Sequence, residues 1–421
     1  MQANQDYGAP TVQPPTQPLT SKALSPRAEV RATVLVYTAS FSYMITLGFT
    51  MLVVPLYALH LGFDLAALGA IVSSQALFGL FLRLFAGAFC DQFGERWVLW
   101  GSFSTMVVGA VILAYSGTFW SLILAQTFLG ISRATYWTST QSYSSRINPA
   151  KSGTLLGRMS SSGTAGQMVG AFLGGVIAET LGYGWAWAVV AGIGVVGLAG
   201  SLVLPILPRK DGRRGFKQVL SPLPALARTP SMGMAGFTAF IASASMTIAV
   251  ILLVPYLRDL GNGEATIGGV RTVGSAGGVV VGIFFGRIVR RFGQQSLYTS
   301  VLTLLGLTML AVPLLDGGLL AVSVVVFSYG TLHGVLGPLY PLTASTYSTQ
   351  EQRGMAMAYV GLYWATAQIV VPAAFGVIAL SVGLKDSFWF AGVMFVAFAV
   401  AIPILFPLLT KRHPTIKEFV A

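Results

Sequence analysis

The sequence predicts an all-α membrane protein of twelve transmembrane helices in two pseudo-symmetric six-helix bundles. Three observations predict it: an apolar composition, twelve hydrophobic stretches of spanning length, and a parallel repeat at an offset of about 200 residues. Of the 421 residues, 54% are hydrophobic and only 9% are charged. Soluble proteins carry about 25% charged residues, so the polar surface needed to meet water is missing and lipid must take its place. A soluble multidomain enzyme does not fit these figures. Glycine occurs 49 times, which suits helices that must approach closely where no hydrophobic effect drives them together. The single cysteine, Cys90, rules out an intrachain disulfide and any cysteine-based metal cluster.

Residues 1–30 are rich in Pro, Gln, Thr and Ala and show no signal-peptide pattern, so they are expected to form a disordered cytoplasmic tail. Apolar stretches follow at 33–58, 66–90, 97–115, 118–143, 153–178, 184–207, 231–257, 265–287, 296–315, 318–345, 354–381 and 387–409. Each is long enough for the roughly 20 residues of a spanning helix. The expected organisation is an N-terminal bundle at 31–207, a cytoplasmic linker at 208–230 carrying the run RKDGRRGFK, a C-terminal bundle at 231–410 and a cytoplasmic tail at 411–421.

With the N-terminus inside, 20 of the 25 basic residues fall on cytoplasmic segments, whereas the outer side holds Arg258, Lys385 and, near a helix start, Arg271. This asymmetry is the positive-inside rule, and it places both termini in the cytoplasm. It also explains the net charge of +12 through topology and anionic lipid, so nucleic acid is not needed as a partner.

The second half echoes the first. GAFCDQFG (87–94) aligns with GRIVRRFG (286–293), AGQMVGAFLGGVI (165–177) with TAQIVVPAAFGVI (366–378), and YWTSTQSYS (136–144) with YPLTASTYS (340–348), all in the same order. Parallel repeats of this kind put a solute site where the halves meet, near the bilayer midplane.

On these residues the chain resembles the major facilitator superfamily over essentially all of residues 30–410. The family's signature between helices two and three has the form G-x-x-x-D-x-x-G-x-R/K, here Gly87, Asp91, Gly94 and Arg96. The resemblance implies an inner gate held by the Asp91 carboxylate. In the second copy, Gly286, Arg290 and Gly293, arginine replaces the acid. Helix five carries Gly157, Gly166, Gly170, Gly174 and Gly175, similar to the glycine motif of the family's antiporters, which are mostly drug exporters; Ala171 stands where those have proline. Many proton-coupled members have an arginine four residues before a helix-four glycine. Here Gln126 precedes Gly130, and an arginine appears instead at Arg133.

Charges inside a bilayer are costly, so each is a candidate functional residue. Arg133 lies thirteen residues before Arg146, roughly 20 Å along a helix and near the midplane. Arg83 is about 12 Å inside the inner surface and is read as snorkelling or bracing the gate. Arg271 falls in the outer leaflet and is expected to point into the outer vestibule. No carboxylate occupies a midplane position; among titratable groups only His333 in helix ten lies deep, so coupling to a proton or another ion stays open. If the family architecture holds, the cavity wall draws on Tyr43, Gln126, Arg133, Tyr136, Trp137, Gln167, His333, Tyr340, Tyr363, Trp364 and Gln368, with Arg83 nearby. Aromatic rings with a few polar groups suit an amphipathic solute.

The resemblance therefore implies a secondary active transporter working by alternating access in the plasma (inner) membrane, expected to export small amphipathic or anionic compounds. An uptake carrier or exchanger for an organic carboxylate is the alternative within transport, and a non-transporting sensor or lipid-moving protein the alternative outside it. No catalytic triad, metal-ligand cluster or phosphate loop is present in the sequence, and no cofactor or metal is expected. The expected partners are a small-molecule substrate and membrane lipids, with the protein acting as a monomer.

Overall fold

Why the chain forms long helices is visible at their ends. Asp64 opens the second helix by accepting a hydrogen bond from the Ala67 amide at 2.7 Å, and Thr118 and Ser121 form a reciprocal capping box at the start of the fourth. Gly94 and Gly293 occupy equivalent places after the second and eighth helices, with φ of 87° and 73°. The left-handed backbone required for those one-residue turns favours glycine there.

The computed structural model describes residues 25–148, 152–207, 223–315, 318–348 and 353–410. Twelve long helices run through these residues. The first six are α1 (Pro26–His60), α2 (Leu65–Phe93), α3 (Glu95–Tyr115), α4 (Phe119–Ile147), α5 (Ser152–Thr180) and α6 (Tyr183–Val203). The second six are α7 (Pro230–Asp259), α8 (Glu264–Phe292), α9 (Gln294–Leu314), α10 (Leu319–Thr346), α11 (Arg353–Val382) and α12 (Leu384–Thr410). Ten of them are apolar and long enough to cross a membrane; α4 and α5 match them in length but carry more Ser, Thr and Gly. The observed helices extend the expected spans by several residues at many ends. Residues 1–24 and 411–421 of the expected tails and residues 208–222 of the expected linker lie outside the described residues. Residues 26–30, expected in the disordered tail, instead form the first turn of α1 behind the Ser25 cap, and the rest of the expected linker begins with a short helix at Leu223–Ala227.

Packing repeats with an offset of six helices. In the first half α1 packs on α5, α2 on α4, and α3 on α6; in the second, α7 packs on α11, α8 on α10, and α9 on α12. Glycine makes the tightest of these contacts possible: a methyl group on Gly170 would overlap the Ile45 carbonyl oxygen of α1, and one on Gly130 would overlap the Gln75 carbonyl of α2. The two halves meet mainly through α2 against α11 and α5 against α8.

The bundle has two faces. We call basal the face where α1 begins and α6 ends, where Arg31 donates to the Val203 carbonyl at 3.4 Å, and distal the face at which α1 ends. Near the distal end α7 departs from regular geometry: Ala249–Leu253 form a π-helical turn between two α-helical segments.

Candidate substrate pocket

Small residues at the crossings set the two halves close together toward the distal face. The Ser73 hydroxyl of α2 donates to the Ile369 carbonyl of α11 at 2.7 Å, beside the close approach of Gly69 to Pro372 and of Gly376 to Leu65. The Thr272 hydroxyl of α8 reaches the Met168 carbonyl of α5 at 3.3 Å. Charged groups complete the closure. Glu179, on the last turn of α5, accepts from the Ala265 amide at the start of α8 at 2.7 Å. In return, Tyr183 of α6 donates to Glu264 at 2.9 Å, and Arg258 of α7 donates to the Leu56 carbonyl of α1 at 2.8 Å. A carboxylate beside the amides of a helix N-terminus is favourably placed. Sequence reading gave none of Glu179, Tyr183 or Glu264 a role.

Beneath this closure lies a small hollow, part of it open to solvent, bounded by α1, α2, α4, α7 and α11. Its polar wall is Thr50, Gln75, Gln126, Arg133, Thr247 and Gln368; apolar side chains such as Met51, Val54, Val72 and Val250 make up the rest. Arg133 is only 8% exposed and also borders a smaller adjoining hollow with Gln75 and Gln368. The side-chain amides of Gln75, Gln126 and Gln368 make no hydrogen bond to the described residues, and Gln126 Oε1 is fully buried. Buried amides are nearly always paired within a protein or through water. Three uncommitted amides facing one hollow, together with a guanidinium, make a surface that can donate to and accept from a small polar ligand. Their apolar surround supplies contact for a hydrocarbon or aromatic body.

Several sequence-derived candidates fall elsewhere. Tyr43 and Tyr136 are corrected from wall to core: 3% and 1% exposed, their rings stack at 3.6 Å with an interplanar angle of 2°, and Tyr43 shares a hydrogen bond with Ser132 at 3.1 Å. Trp137 packs edge-on to Tyr136. In the second half Tyr340 and Trp364 pack ring to ring at 5.0 Å, and Tyr363 hydrogen-bonds Tyr359 at 2.9 Å. All four are absent from the pocket wall. Gln167 contacts the Met51 sulfur at 3.7 Å. His333 hydrogen-bonds Ser245 at 2.7 Å, and Arg271 turns toward the Ala249 carbonyl of α7 at 3.4 Å instead of the distal vestibule. Gln75 was missed because a lone glutamine in an apolar span carries no motif.

The motif residues divide in the same way. Gly166 and Gly170 seat α5 against α1 through Phe41 and Ile45, Gly174 lies against Phe49 and Val53, and Gly175 faces Glu264 of α8. Arg96 lies 5.7 Å from the Trp97 ring. Arg290 is exposed at the basal end of α8, close to Gly286. The side chains of Arg83 and Asp91 and the surroundings of Gly87 and Gly157 lie outside the described residues; their backbones belong to α2 and α5. An ion pair the sequence reading did not single out sits near that basal turn: Glu95 of α3 binds Arg146 of α4 at 2.5 Å and accepts from Ser142 at 2.8 Å.

A bundle of twelve membrane helices with matching halves and a polar hollow at their seam is the architecture of a membrane transporter. The sequence profile of the Major Facilitator Superfamily matches residues 36–364 and 235–421. The chain belongs to that family. Among curated proteins it is similar to the multidrug resistance protein MdtG of Enterobacter lignolyticus (strain SCF1), 24% identical over 304 residues, which are 69% of this chain and 71% of that one. The corresponding protein of Rahnella sp. (strain Y9602) is 22% identical over 333 residues, 76% of this chain and 79% of the other. The quinolone resistance protein NorA of Staphylococcus aureus is 23% identical over 186 residues, 44% of this chain and 48% of NorA. Among solved structures the nucleoside transporter NupG superposes with a TM-score of 0.76 at 14% identity, covering 90% of this chain and 99% of NupG. That likeness concerns the fold.

Proposed function

We propose that this protein exports small amphipathic or anionic organic molecules by alternating access. The observation that carries the reading is the pocket at the seam between halves, where Arg133 and three uncommitted glutamine amides face apolar walls. A carrier must bind its cargo between two bodies that move, so that occupancy changes the balance between conformations. The bonds gathered at the distal face fit a conformation closed on that side. The excess of basic residues on basal segments supports placing that side in the cytoplasm, in the plasma membrane. Cargo then enters from the cytoplasm and leaves when the distal contacts part, driven by an ion gradient, with the protein working as a monomer. Similarity to MdtG and NorA supports the outward direction.

The test is direct. Cells lacking the protein should accumulate a panel of fluorescent amphipathic anions and become sensitive to toxic ones. Re-expression should restore export, and Arg133→Gln should not. If deletion instead leaves export intact and removes growth on an organic acid, the protein is an uptake carrier; Arg133 without an acid in the pocket wall is compatible with that second reading.

A further inference from the structure

Behind the central pocket, inside the second half, polar groups gather that the transport reading does not use. Arg271 of α8, Tyr329 and His333 of α10 and Ser245 of α7 meet around the π-helical turn of α7. Tyr329 donates to the Ser245 carbonyl, His333 Nδ1 pairs with the Ser245 hydroxyl at 2.7 Å, and Arg271 interacts electrostatically with both Tyr329 and His333. Arg271 makes a single long hydrogen bond, to the Ala249 carbonyl at 3.4 Å, and His333 Nε2 makes none. Neither side chain has an unpartnered nitrogen fully sealed in protein.

Among the described residues no acid stands beside Arg271. The acidic residues of α7 and α8 are Asp259 and Glu264, ten residues beyond Ala249 and seven residues before Arg271, and α10 has none. Those separations are about 15 Å and 10 Å along a helix, and Glu264 is already bonded to Tyr183. A guanidinium away from bulk water with no acid beside it suits an anion, and its planar fork matches a carboxylate. The histidine adapts to that ligand. Ser245 also lies 2.8 Å from the Ala242 carbonyl, and its one hydroxyl proton can serve either Ala242 or His333. Turned toward Nδ1, it leaves the neutral ring with its proton on Nε2, a second donor beside the arginine.

We propose that Arg271 and His333 form a carboxylate-binding subsite in the C-terminal half, separated from the central pocket by the wall of α7. Thr247 and Val250 of that wall line the pocket, while Ser245 and Ala249 bond to the subsite. The subsite rests on the transport reading for its purpose. Its existence is measured without transport.

The chain has three histidines, so ring signals of the full-length protein labelled with carbon-13 histidine are few and can be assigned with His333→Gln. Benzoate is the probe. It should shift the His333 signals saturably and leave His60, at the distal end of α1, in place; methyl benzoate and chloride should do neither. Arg271→Gln should weaken benzoate at this signal at least tenfold, Arg271→Lys should weaken it less, and Arg133→Gln should leave it unchanged. An unmoved His333 in folded wild-type protein overturns the proposal. So do an equal response to methyl benzoate or chloride, a response retained by Arg271→Gln, and a response lost in Arg133→Gln, which would make it an echo of the central pocket. Should Arg271→Gln fail to fold, the wild-type comparison of benzoate with its ester decides. A saturable His333 shift in a protein that exports nothing would refute the transport reading and keep the subsite; export with no shift would do the reverse.

Discussion

Glu179 offers the sharpest handle on the closed distal face. Its carboxylate belongs to the first half, and the amide it holds, Ala265 at 2.7 Å, belongs to the second, so the bond exists only while the face is closed. The Gly263 N-cap of α8 provides no side-chain hydrogen bond of its own, which leaves Glu179 to cap that helix from the opposite half. Glu179 is exposed, so the solvent-screened value applies: about 1 kcal/mol for removing an N-terminal cap. That energy corresponds to roughly a fivefold change in an equilibrium. Glu179→Ala should therefore raise the population open at the distal face about fivefold. Tyr183→Phe removes the reciprocal bond to Glu264 and should contribute a similar amount. The double variant should fall between fivefold and about thirtyfold, because neighbouring bonds do not add fully.

The assay is electron-electron distance measurement between spin labels at Tyr115 and Leu320, which are 87% and 80% exposed at the distal ends of α3 and α10. Cys90, the single native thiol and a buried one, is replaced by alanine in that background. The long-distance component should grow in the order wild type, single variants, double variant. A distance distribution unchanged in Glu179→Ala would refute the reasoning, because a bond made in one conformation alone must shift the balance when removed.

Other substitutions separate pocket from scaffold. Arg133→Ala should abolish binding of an anionic solute to purified protein while sparing a neutral analogue, as read by isothermal titration. Tyr43→Phe removes one bond within the stacked pair and should cost about 1 kcal/mol of stability without altering solute affinity. Gly170→Ala forces a methyl group against the Ile45 carbonyl and should destabilise the α1–α5 contact by about 1–3 kcal/mol, seen as earlier unfolding on detergent titration. Glu95→Ala removes the carboxylate bound to Arg146, whose side chain is 19% exposed against 5% for Glu95; the expected loss is about 2 kcal/mol after allowing for that exposure. A cycle including Arg146→Ala should show the two losses to be coupled.

Hydropathy and spacing made the helices legible, because a bilayer imposes one length and an apolar composition on each span. Arg133, Gln126 and Gln368 were legible as pocket residues because polar groups at that depth need a purpose. Tyr43 and Tyr136 were not separable from them. One-helix reasoning places both on an inward face, but only the opposing helix decides whether that face meets a cavity or another ring, and here each tyrosine faces the other. The distal contacts were hidden for a related reason. Glu179 and Ala265 are 86 residues apart, and neither has a partner within its own sequence neighbourhood to betray it. Arg271, expected to point into the outer vestibule, turns instead toward the Ala249 carbonyl, which lies in an irregular turn of α7 that no residue pattern announces.

That turn has a geometric consequence at a distance. Each residue of a regular α-helix advances the chain by about 100° around its axis, and a π-helical turn accommodates one residue more than its neighbours before the helix resumes. Everything after Leu253 is therefore rotated relative to the first part of α7. Arg258 faces Leu56 on account of that rotation. A regular α-helix over the same residues would swing its guanidinium about 100° away, whereas removing one residue from Ala249–Leu253 would restore regular geometry with Arg258 still on the Leu56 side.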